Sequence, residues 1–243
     1  MTPAMIVAFL QEKQLSVQSQ QAYKGDLRQF LEICPRLDQS GLLQYQAFLQ
    51  GLKPTAQRRK VSAVNQFIYF LYTRGQVERF YKLEAVSSTV LTKKRQAPVH
   101  LDALWLETEL LDGQLMALLM SQLGLTPSEL MGLKLEQLDL EFHILNLDRG
   151  GQRRILSIPK TLLPYLESRR DQVFLFDKQG QPYSRQWFFN RLSAYVGTLG
   201  HREWTAQFLR EQFILSRLAA GQSLEQVAKD LGLKTSISLE KYK

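Results

Sequence analysis

Two side chains near the end of the sequence are of types that could handle an anionic group. Arg210 lies in a segment whose apolar periodicity predicts a helix, and Tyr242 is the penultimate residue. A guanidinium binds phosphate or carboxylate groups, and a tyrosine hydroxyl can act as a nucleophile that forms a covalent intermediate. Between them, a second predicted helix closes on Leu231-Gly232. Arg210 and Tyr242 therefore have side chains that could supply this chemistry, but residue types alone assign neither a catalytic role.

Further cations occur in two other segments. Arg58, Arg59 and Lys60 lie in the first turns of a predicted helix, where cations oppose the helix dipole by roughly 0.3–1 kcal/mol each. We therefore expect an anionic partner such as a phosphate backbone, although a solvated charged face is the alternative. Arg149 precedes Gly150 in a predicted turn, where it can bind phosphate or be an ordinary turn residue.

The residues that usually hold metals are sparse. The chain has three histidines, at positions 100, 143 and 201, and these are too scattered in the sequence for a metal site. The single cysteine, Cys34, excludes an internal disulfide and any cysteine-based metal cluster. We expect no metal and no cofactor.

Composition is that of a globular protein of 243 residues with 44% hydrophobic residues and a formal net charge of +8. No apolar run approaches the ~20 residues of a membrane span, and no secretory signal opens the chain, so we expect no membrane partner and a cytoplasmic location. The positive charge fits nucleic acid as a partner, but it also fits a basic soluble protein without one. Residues 1–90 carry 11 Lys and Arg against 6 Asp and Glu, so most of the excess lies there.

Three regions follow one another along the chain. Residues 1–81 predict four helices, at 4–13, from Ser16 or Ser19 to 32, from Asp38 or Ser40 to about 50, and from a Thr55 cap to Gly75. Residues 82–98 predict a basic, polar linker that could lie along DNA or serve only as a tether.

Residues 99–243 predict a mainly helical unit with one small antiparallel sheet. Two strands, at 142–147 and 153–158, flank the turn that carries Arg149. The predicted helices are at 101–109, 113–123, from Thr126, 162–170, 185–199, 205–220 and 224–231. Three of them have clear capping residues, which are Ser184, Thr205 and Ser223.

This layout resembles the tyrosine recombinase (phage integrase) family, nearest to its bacterial XerD-like members, over almost the whole chain. The matching segments are 16–31 (SVQSQQAYKGDLRQFL), 59–71 (RKVSAVNQFIYFL) and 175–184 (LFDKQGQPYS). The resemblance implies a four-helix, SAM-like core-binding domain at 1–81 and a catalytic domain at 99–243. It also implies a role in DNA recombination or integration, with double-stranded DNA as the partner.

The chemistry that the resemblance implies is phosphoryl transfer without a metal. A tyrosine attacks a DNA phosphate, forms a 3′-phosphotyrosyl bond and releases a 5′-hydroxyl, while preorganised cations offset the growing charge. On this basis Tyr242 is the nucleophile and Arg210 holds the phosphate. Arg149 matches the position of the hairpin lysine, while Arg58, Arg59 and Lys60 are expected to contact DNA.

Four other positions depart from the family pattern and make the active site degenerate. Thr126 stands where the family has its first arginine, and with Glu129 it fits a capping box instead. Gln207 stands at the first histidine position and cannot titrate. Glu211 stands at a histidine or lysine position, where its charge suits a phosphate badly if it faces inward. Leu233, at the last histidine or tryptophan position, has no polar atom.

Three functions therefore remain open from sequence. The chain is an active recombinase, a catalytically inert DNA-binding protein on a recombinase scaffold, or a protein that regulates a true recombinase by assembling with it. The family usually continues past its tyrosine into a segment that docks on a neighbouring protomer, and here only Lys243 follows. A recombinase-type protomer is accordingly a candidate partner. It would have to be contacted without the usual segment that follows the tyrosine.

Overall fold

A computed structural model describes residues 1–84, 97–149 and 152–242. Its contacts divide the chain into two compact units, Met1–Thr92 and Lys93–Lys243. Most of the linker predicted at 82–98 lies outside the described residues, as do Gly150 and Gly151 of the predicted turn. The exact domain limits therefore stay a prediction.

Four helices build the N-terminal unit, as the sequence predicts. They are α1 (Pro3–Glu12), α2 (Val17–Ile33), α3 (Gln39–Gln50) and α4 (Pro54–Thr73). The side chains of Ser16 and Asp38 cap α2 and α3 by accepting hydrogen bonds from backbone N–H groups three residues on. Aromatic side chains fill the core, where the rings of Phe30 and Tyr45 pack edge to face with centroids 4.9 Å apart.

The start of α4 corrects one prediction. Lys53, not Thr55, is the N-cap, because Pro54 takes the first helical position, where a missing N–H costs nothing. Residues 58–60 consequently lie in the second turn of α4, beyond the first turn in which the helix dipole acts strongly. The expected electrostatic penalty on these cations is therefore small, and it no longer argues for an anionic partner.

The C-terminal unit is also mainly helical. Its helices are α5 (Leu111–Leu123), α6 (Pro127–Met131), α7 (Leu163–Glu167), α8 (Arg185–Thr198), α9 (Ala206–Ala219) and α10 (Leu224–Asp230). The predicted caps of α8, α9 and α10 each accept the expected backbone hydrogen bond. The helix predicted at 101–109 is wrong, because only Asp102–Trp105 forms a short 3-10 helix and Leu106 is already extended.

The helix α5 lies at the centre of this unit. Ten of its thirteen residues are buried, and it packs against both α8 and α9. A helix that is apolar on nearly all sides must be surrounded by other elements, so α5 fixes the positions of the helices around it. Within the described ranges, no helix is both long and apolar enough to cross a membrane.

A three-stranded antiparallel sheet completes the fold. It has the order β1 (Leu138–Asp139), β2 (Ile144–Arg149), β3 (Gln152–Ser157), with Leu145 opposite Leu156. A second, two-stranded sheet is formed by β4 (Asp177–Lys178) and β5 (Gln181–Pro182). The sequence predicts β2 and β3 but misses the two-residue strands, which are too short for an alternating pattern. The fold class, mainly α with a small antiparallel sheet, is confirmed.

Candidate functional site

Arg210 lies on α9 and is oriented by two helix ends. Its Nε donates a hydrogen bond of 2.8 Å to the carbonyl of Gly124, which follows α5, and its Nη2 lies 3.4 Å from the carbonyl of Leu231, which follows α10. The C-terminal end of a helix carries partial negative charge and attracts a cation. Two converging helix ends therefore hold the guanidinium in one position.

Gly124 has to be glycine for this arrangement. Its φ is +65°, in the left-handed region that favours glycine. A Cβ atom at this position would lie 2.6 Å from Cδ1 of Phe213 and 2.8 Å from Cδ2 of Leu231. The close approach of α5, α9 and α10 at Gly124 thus brings its carbonyl to Arg210.

Tyr242 lies at the end of a 3-10 helix, Ile237–Tyr242, that folds back onto the unit. Leu239 of this segment is buried, and the Tyr242 ring packs at the edge of an apolar cluster formed by α9 and α10. The Tyr242 hydroxyl donates a hydrogen bond of 3.1 Å to Oε1 of Glu211. The C-terminal segment is therefore anchored beside α9.

The pKa of Tyr242 reports its surroundings. Burial raises it above the ordinary value for tyrosine, and the charge and hydrogen bond of Glu211 raise it further. The positive charge of Arg210 acts in the opposite direction and lowers the pKa of Tyr242. Because Glu211 binds the Tyr242 hydroxyl and directly follows Arg210 on α9, the two candidate catalytic residues lie in one region of the C-terminal unit.

Glu211 connects several groups around the tyrosine. Its Oε1 accepts a hydrogen bond of 3.0 Å from Nε2 of Gln207, one turn earlier on α9, and lies 4.0 Å from Nζ of Lys241. The Lys241 ammonium also lies 4.7 Å from the centre of the Tyr242 ring. Sequence reasoning singled out Glu211 for its charge but missed its contact with Tyr242. The spacing of Gln207 and Glu211, four residues apart on a helix, predicts that these two side chains meet but gives no signal for the contact with Tyr242.

Two departures from the family pattern have structural roles. Thr126 forms the predicted capping box with Glu129: its backbone N–H donates to the Glu129 carboxylate at 2.7 Å, and its hydroxyl accepts from the Glu129 N–H. Leu233 packs against the apolar cluster beneath Tyr242. Neither residue can supply a cation or an acid to a phosphate.

A buried arginine that the sequence analysis missed lies beneath this region. Arg154 of β3 is 8% exposed, and it forms a 2.6 Å ion pair with Glu129 and donates a 2.8 Å hydrogen bond to the carbonyl of Asp230. Alternation along β3 puts Arg154 on the same buried face as Leu156. The ion pair joins the sheet to α6, and the hydrogen bond joins it to the end of α10.

Arg149 is the last residue of β2 and pairs with Gln152 of β3. Its side chain lies outside the described part of the structure. Its role as an auxiliary cation near Arg210 stays a prediction.

The three cations of α4 belong to the N-terminal unit and have different surroundings. Arg59 forms two hydrogen bonds of 2.9 Å with Asp26. Lys60 is 9% exposed, and its Nζ lies 2.8 Å from Oδ1 of Asp26 and 2.6 Å from Oε1 of Gln29. Arg58 is exposed. Burial argues against the predicted DNA contact of Lys60, because its ammonium is satisfied inside the unit. Arg58 and Arg59 are the outward-facing candidates, although Arg59, whose side chain is 50% exposed, shares its charge with Asp26.

Solved structures with the same fold include a transposon integrase and a site-specific recombinase. One is an integrase of the Tn1549 transposon in complex with a circular intermediate DNA, with a TM-score of 0.75, 14% identity, and coverage of 99% of this chain and 94% of that one. Another is the XerH site-specific recombinase bound to its difH substrate, with a TM-score of 0.70, 13% identity, and coverage of 100% and 82%. At these identities the likeness establishes the fold.

Curated relatives are much more similar in sequence. No protein-family model matches the chain. A Streptococcus suis protein named "Tyrosine recombinase XerD-like" is 50% identical over 98% of both chains. A Streptococcus gordonii protein of the same name is 42% identical over 97% of both chains. With this identity over nearly the full length, the chain belongs to the family of XerD-like tyrosine recombinases.

Proposed function

We propose that this protein binds double-stranded DNA and cleaves and rejoins it through Tyr242. The observation that carries the proposal is that the Tyr242 hydroxyl is hydrogen-bonded to Glu211, the residue that directly follows Arg210 on α9, so the C-terminal segment folds back beside the arginine. The names of its relatives support a recombinase, and structures with the same fold are described as complexes with DNA. Such a protein would act in the cytoplasm.

Each side chain has a defined role in this reaction. The Tyr242 hydroxyl attacks the phosphorus of a phosphodiester, the new bond is a 3′-phosphotyrosyl linkage, and the 5′-oxygen leaves. The Arg210 guanidinium offsets charge that develops on the non-bridging oxygens, a stabilisation that needs no metal. Arg149 would add a second cation from the β2–β3 hairpin.

DNA binding would involve the basic N-terminal unit. Arg58 is the cation of α4 that we assign to a phosphate, with Arg59 as a weaker contributor because it is shared with Asp26. A guanidinium whose charge is already paired contributes less to an additional phosphate contact. Lys60 instead stabilises the unit.

The family side chains that this site lacks affect the expected rate of DNA cleavage. Thr126, Gln207 and Leu233 replace side chains that would clamp the phosphate or exchange protons with it. An arginine clamp in phosphoryl transfer is worth on the order of 10³–10⁵ in rate. We therefore expect slow cleavage by the chain alone, and we propose a second recombinase-type protomer as the partner that completes the site.

The decisive experiment detects the covalent intermediate. Duplexes enriched from a random pool by binding to this protein are prepared with a 5′-bridging phosphorothiolate, whose leaving thiolate needs no acid and cannot efficiently rejoin. We expect a protein–DNA adduct that survives denaturation with wild-type protein and none with Tyr242→Phe. A duplex that is bound tightly without any adduct would contradict cleavage and favour an inert DNA-binding protein.

A further inference from the structure

Glu211 is the group best placed to remove the proton of Tyr242. The Tyr242 hydroxyl donates to Oε1 of Glu211 at 3.1 Å, which is within the reach required of a general base. A carboxylate is an acceptor with spare lone pairs, whereas Arg210 is a donor only. Among the described side chains that contact the hydroxyl, Glu211 is the one that can take up a proton.

The surroundings hold this carboxylate in position. Gln207 donates a 3.0 Å hydrogen bond to the same Oε1, and the Lys241 ammonium lies 4.0 Å from it. The Glu211 side chain is 18% exposed, so it has few alternative orientations in solvent. Gln207 thus acts as a positioning residue for Glu211, in the same way that a third group orients the base beside an activated nucleophile.

We propose that Glu211 is the proton acceptor that activates Tyr242, an inference that rests on the cleavage function proposed above. During attack the Tyr242 O–H bond breaks, and its proton passes to Oε1 of Glu211. The Tyr242 oxygen forms a bond to phosphorus, and the bond from phosphorus to the 5′-oxygen breaks. The leaving oxygen takes a proton from solvent. In the rejoining step, the 5′-hydroxyl loses its proton to solvent and bonds to phosphorus, the bond from phosphorus to the Tyr242 oxygen breaks, and Glu211 returns its proton to that oxygen.

Proton transfer also removes an electrostatic conflict. A carboxylate near a phosphodiester repels it, and this repulsion is strong where water is largely excluded. Once Glu211 is protonated it is neutral, so the repulsion disappears as negative charge builds up on the phosphate. A carboxylate at this position is therefore compatible with catalysis if it accepts the proton, and it opposes catalysis if it stays charged.

The test compares Glu211→Gln with wild type in single-turnover adduct formation on the 5′-bridging phosphorothiolate duplex. Since this leaving group needs no acid, the rate reports activation of the tyrosine. General base catalysis typically contributes 10²–10⁴-fold, so we expect Glu211→Gln to slow the reaction by at least ~10²-fold while DNA affinity is unchanged or higher.

The matched control is Glu240→Gln, which makes the same chemical change at an exposed position of the same C-terminal segment. It should react at the wild-type rate. An adduct that forms with Glu211→Gln as fast as with wild type, or faster, would overturn the inference while leaving Tyr242 as the nucleophile. The absence of an adduct with wild-type protein would overturn the proposed cleavage itself, and the inference with it.

A measurement without DNA examines the contact directly. The ¹³Cζ resonance of Tyr242, assigned by its loss in Tyr242→Phe, reports the hydrogen bond of the phenol. We expect it to shift in Glu211→Gln and to stay unchanged in Glu240→Gln, with thermal unfolding confirming that both variants are folded. An unchanged resonance in Glu211→Gln would remove the geometric basis of the proposal.

Discussion

Tyr45 and Tyr195 are two buried tyrosines that differ in what their hydroxyls contact. Both side chains are fully buried. The Tyr195 hydroxyl donates a 2.9 Å hydrogen bond to the carbonyl of Leu104. The Tyr45 hydroxyl has no hydrogen-bond partner in the described part of the chain. A buried polar group without a partner is costly, so the two residues should respond in opposite directions to loss of the hydroxyl.

Tyr45→Phe should raise the free energy of unfolding, because it removes a buried group that is left unsatisfied. The expected gain is about 1–3 kcal/mol, measured by urea denaturation. Tyr195→Phe is the matched control and should lower stability by about 0.5–1.5 kcal/mol, since it breaks a made hydrogen bond. Equal losses in both variants would mean that the Tyr45 hydroxyl has a partner.

Alkaline pH should weaken the C-terminal unit through Tyr195. Burial raises its pKa to about 12 from an ordinary value near 10. The unfolded chain therefore loses this proton first, and stability falls as the pH rises from about 10 towards 12, at about 1.4 kcal/mol per pH unit for this group. The urea midpoint of the wild type should decline as the pH is raised from 9. The midpoint of Tyr195→Phe should decline less steeply with pH. Identical slopes would contradict the raised pKa.

The site residues differ in how far sequence could predict them. The sequence predicts Arg210 and Tyr242 as catalytic residues because their spacing around Leu231-Gly232 follows the family pattern, and this assignment stays a prediction. It could not identify the contact of Glu211 with Tyr242, because that contact depends on how the last residues fold back onto α9. Nor does the sequence reveal that Lys60 pairs with Asp26, a residue 34 positions away.

Among the elements, those with local signals were predicted best. Capped helices such as α2, α9 and α10 begin where the sequence predicts, since a cap is a bond between residues three apart. By contrast, β4 and β5 have two residues each, so no alternation exists to be detected. The 101–109 segment has an apolar pattern but forms only a short 3-10 helix, because packing overrides a weak local preference.

Substitution of Arg154 should strongly lower the free energy of unfolding, because this side chain connects the sheet to α6 and α10. Arg154→Ala would leave Glu129 buried without its partner and would remove a hydrogen bond to the carbonyl of Asp230. Breaking one side of a buried ion pair typically costs about 3–5 kcal/mol, so denaturant unfolding should show a loss of this size. Arg153→Ala, at the exposed neighbouring position of β3, should change stability by less than about 0.5 kcal/mol. Similar losses in the two variants would contradict the ion pair.

For the whole molecule, the order of elements was more informative than any single motif. The four-helix unit and the helical unit with a hairpin were predicted from sequence and match the fold of solved structures. The basic linker predicted between them lies mostly outside the described residues and stays a prediction. The formal charge is also distributed unevenly between the two units. Residues 1–90, which nearly coincide with the N-terminal unit, carry the larger share of the net charge of +8. Formal charge, however, counts Lys60 like any other cation, although its ammonium is paired and buried.

That distinction leads to a prediction for DNA affinity. The salt dependence of binding counts the phosphates that a protein neutralises, with a slope of about −0.9 per phosphate in a plot of log K against log salt concentration. Arg58→Ala should therefore weaken binding and reduce the magnitude of this slope by about 1, because Arg58 is exposed. Lys60→Met removes the same formal charge from a buried position and should leave the slope unchanged, although it lowers stability. Fluorescence anisotropy with one labelled duplex across a salt series measures both slopes. If the two variants lose equal slope, net charge rather than individual contacts governs binding, and the assignment of Arg58 to a phosphate is wrong.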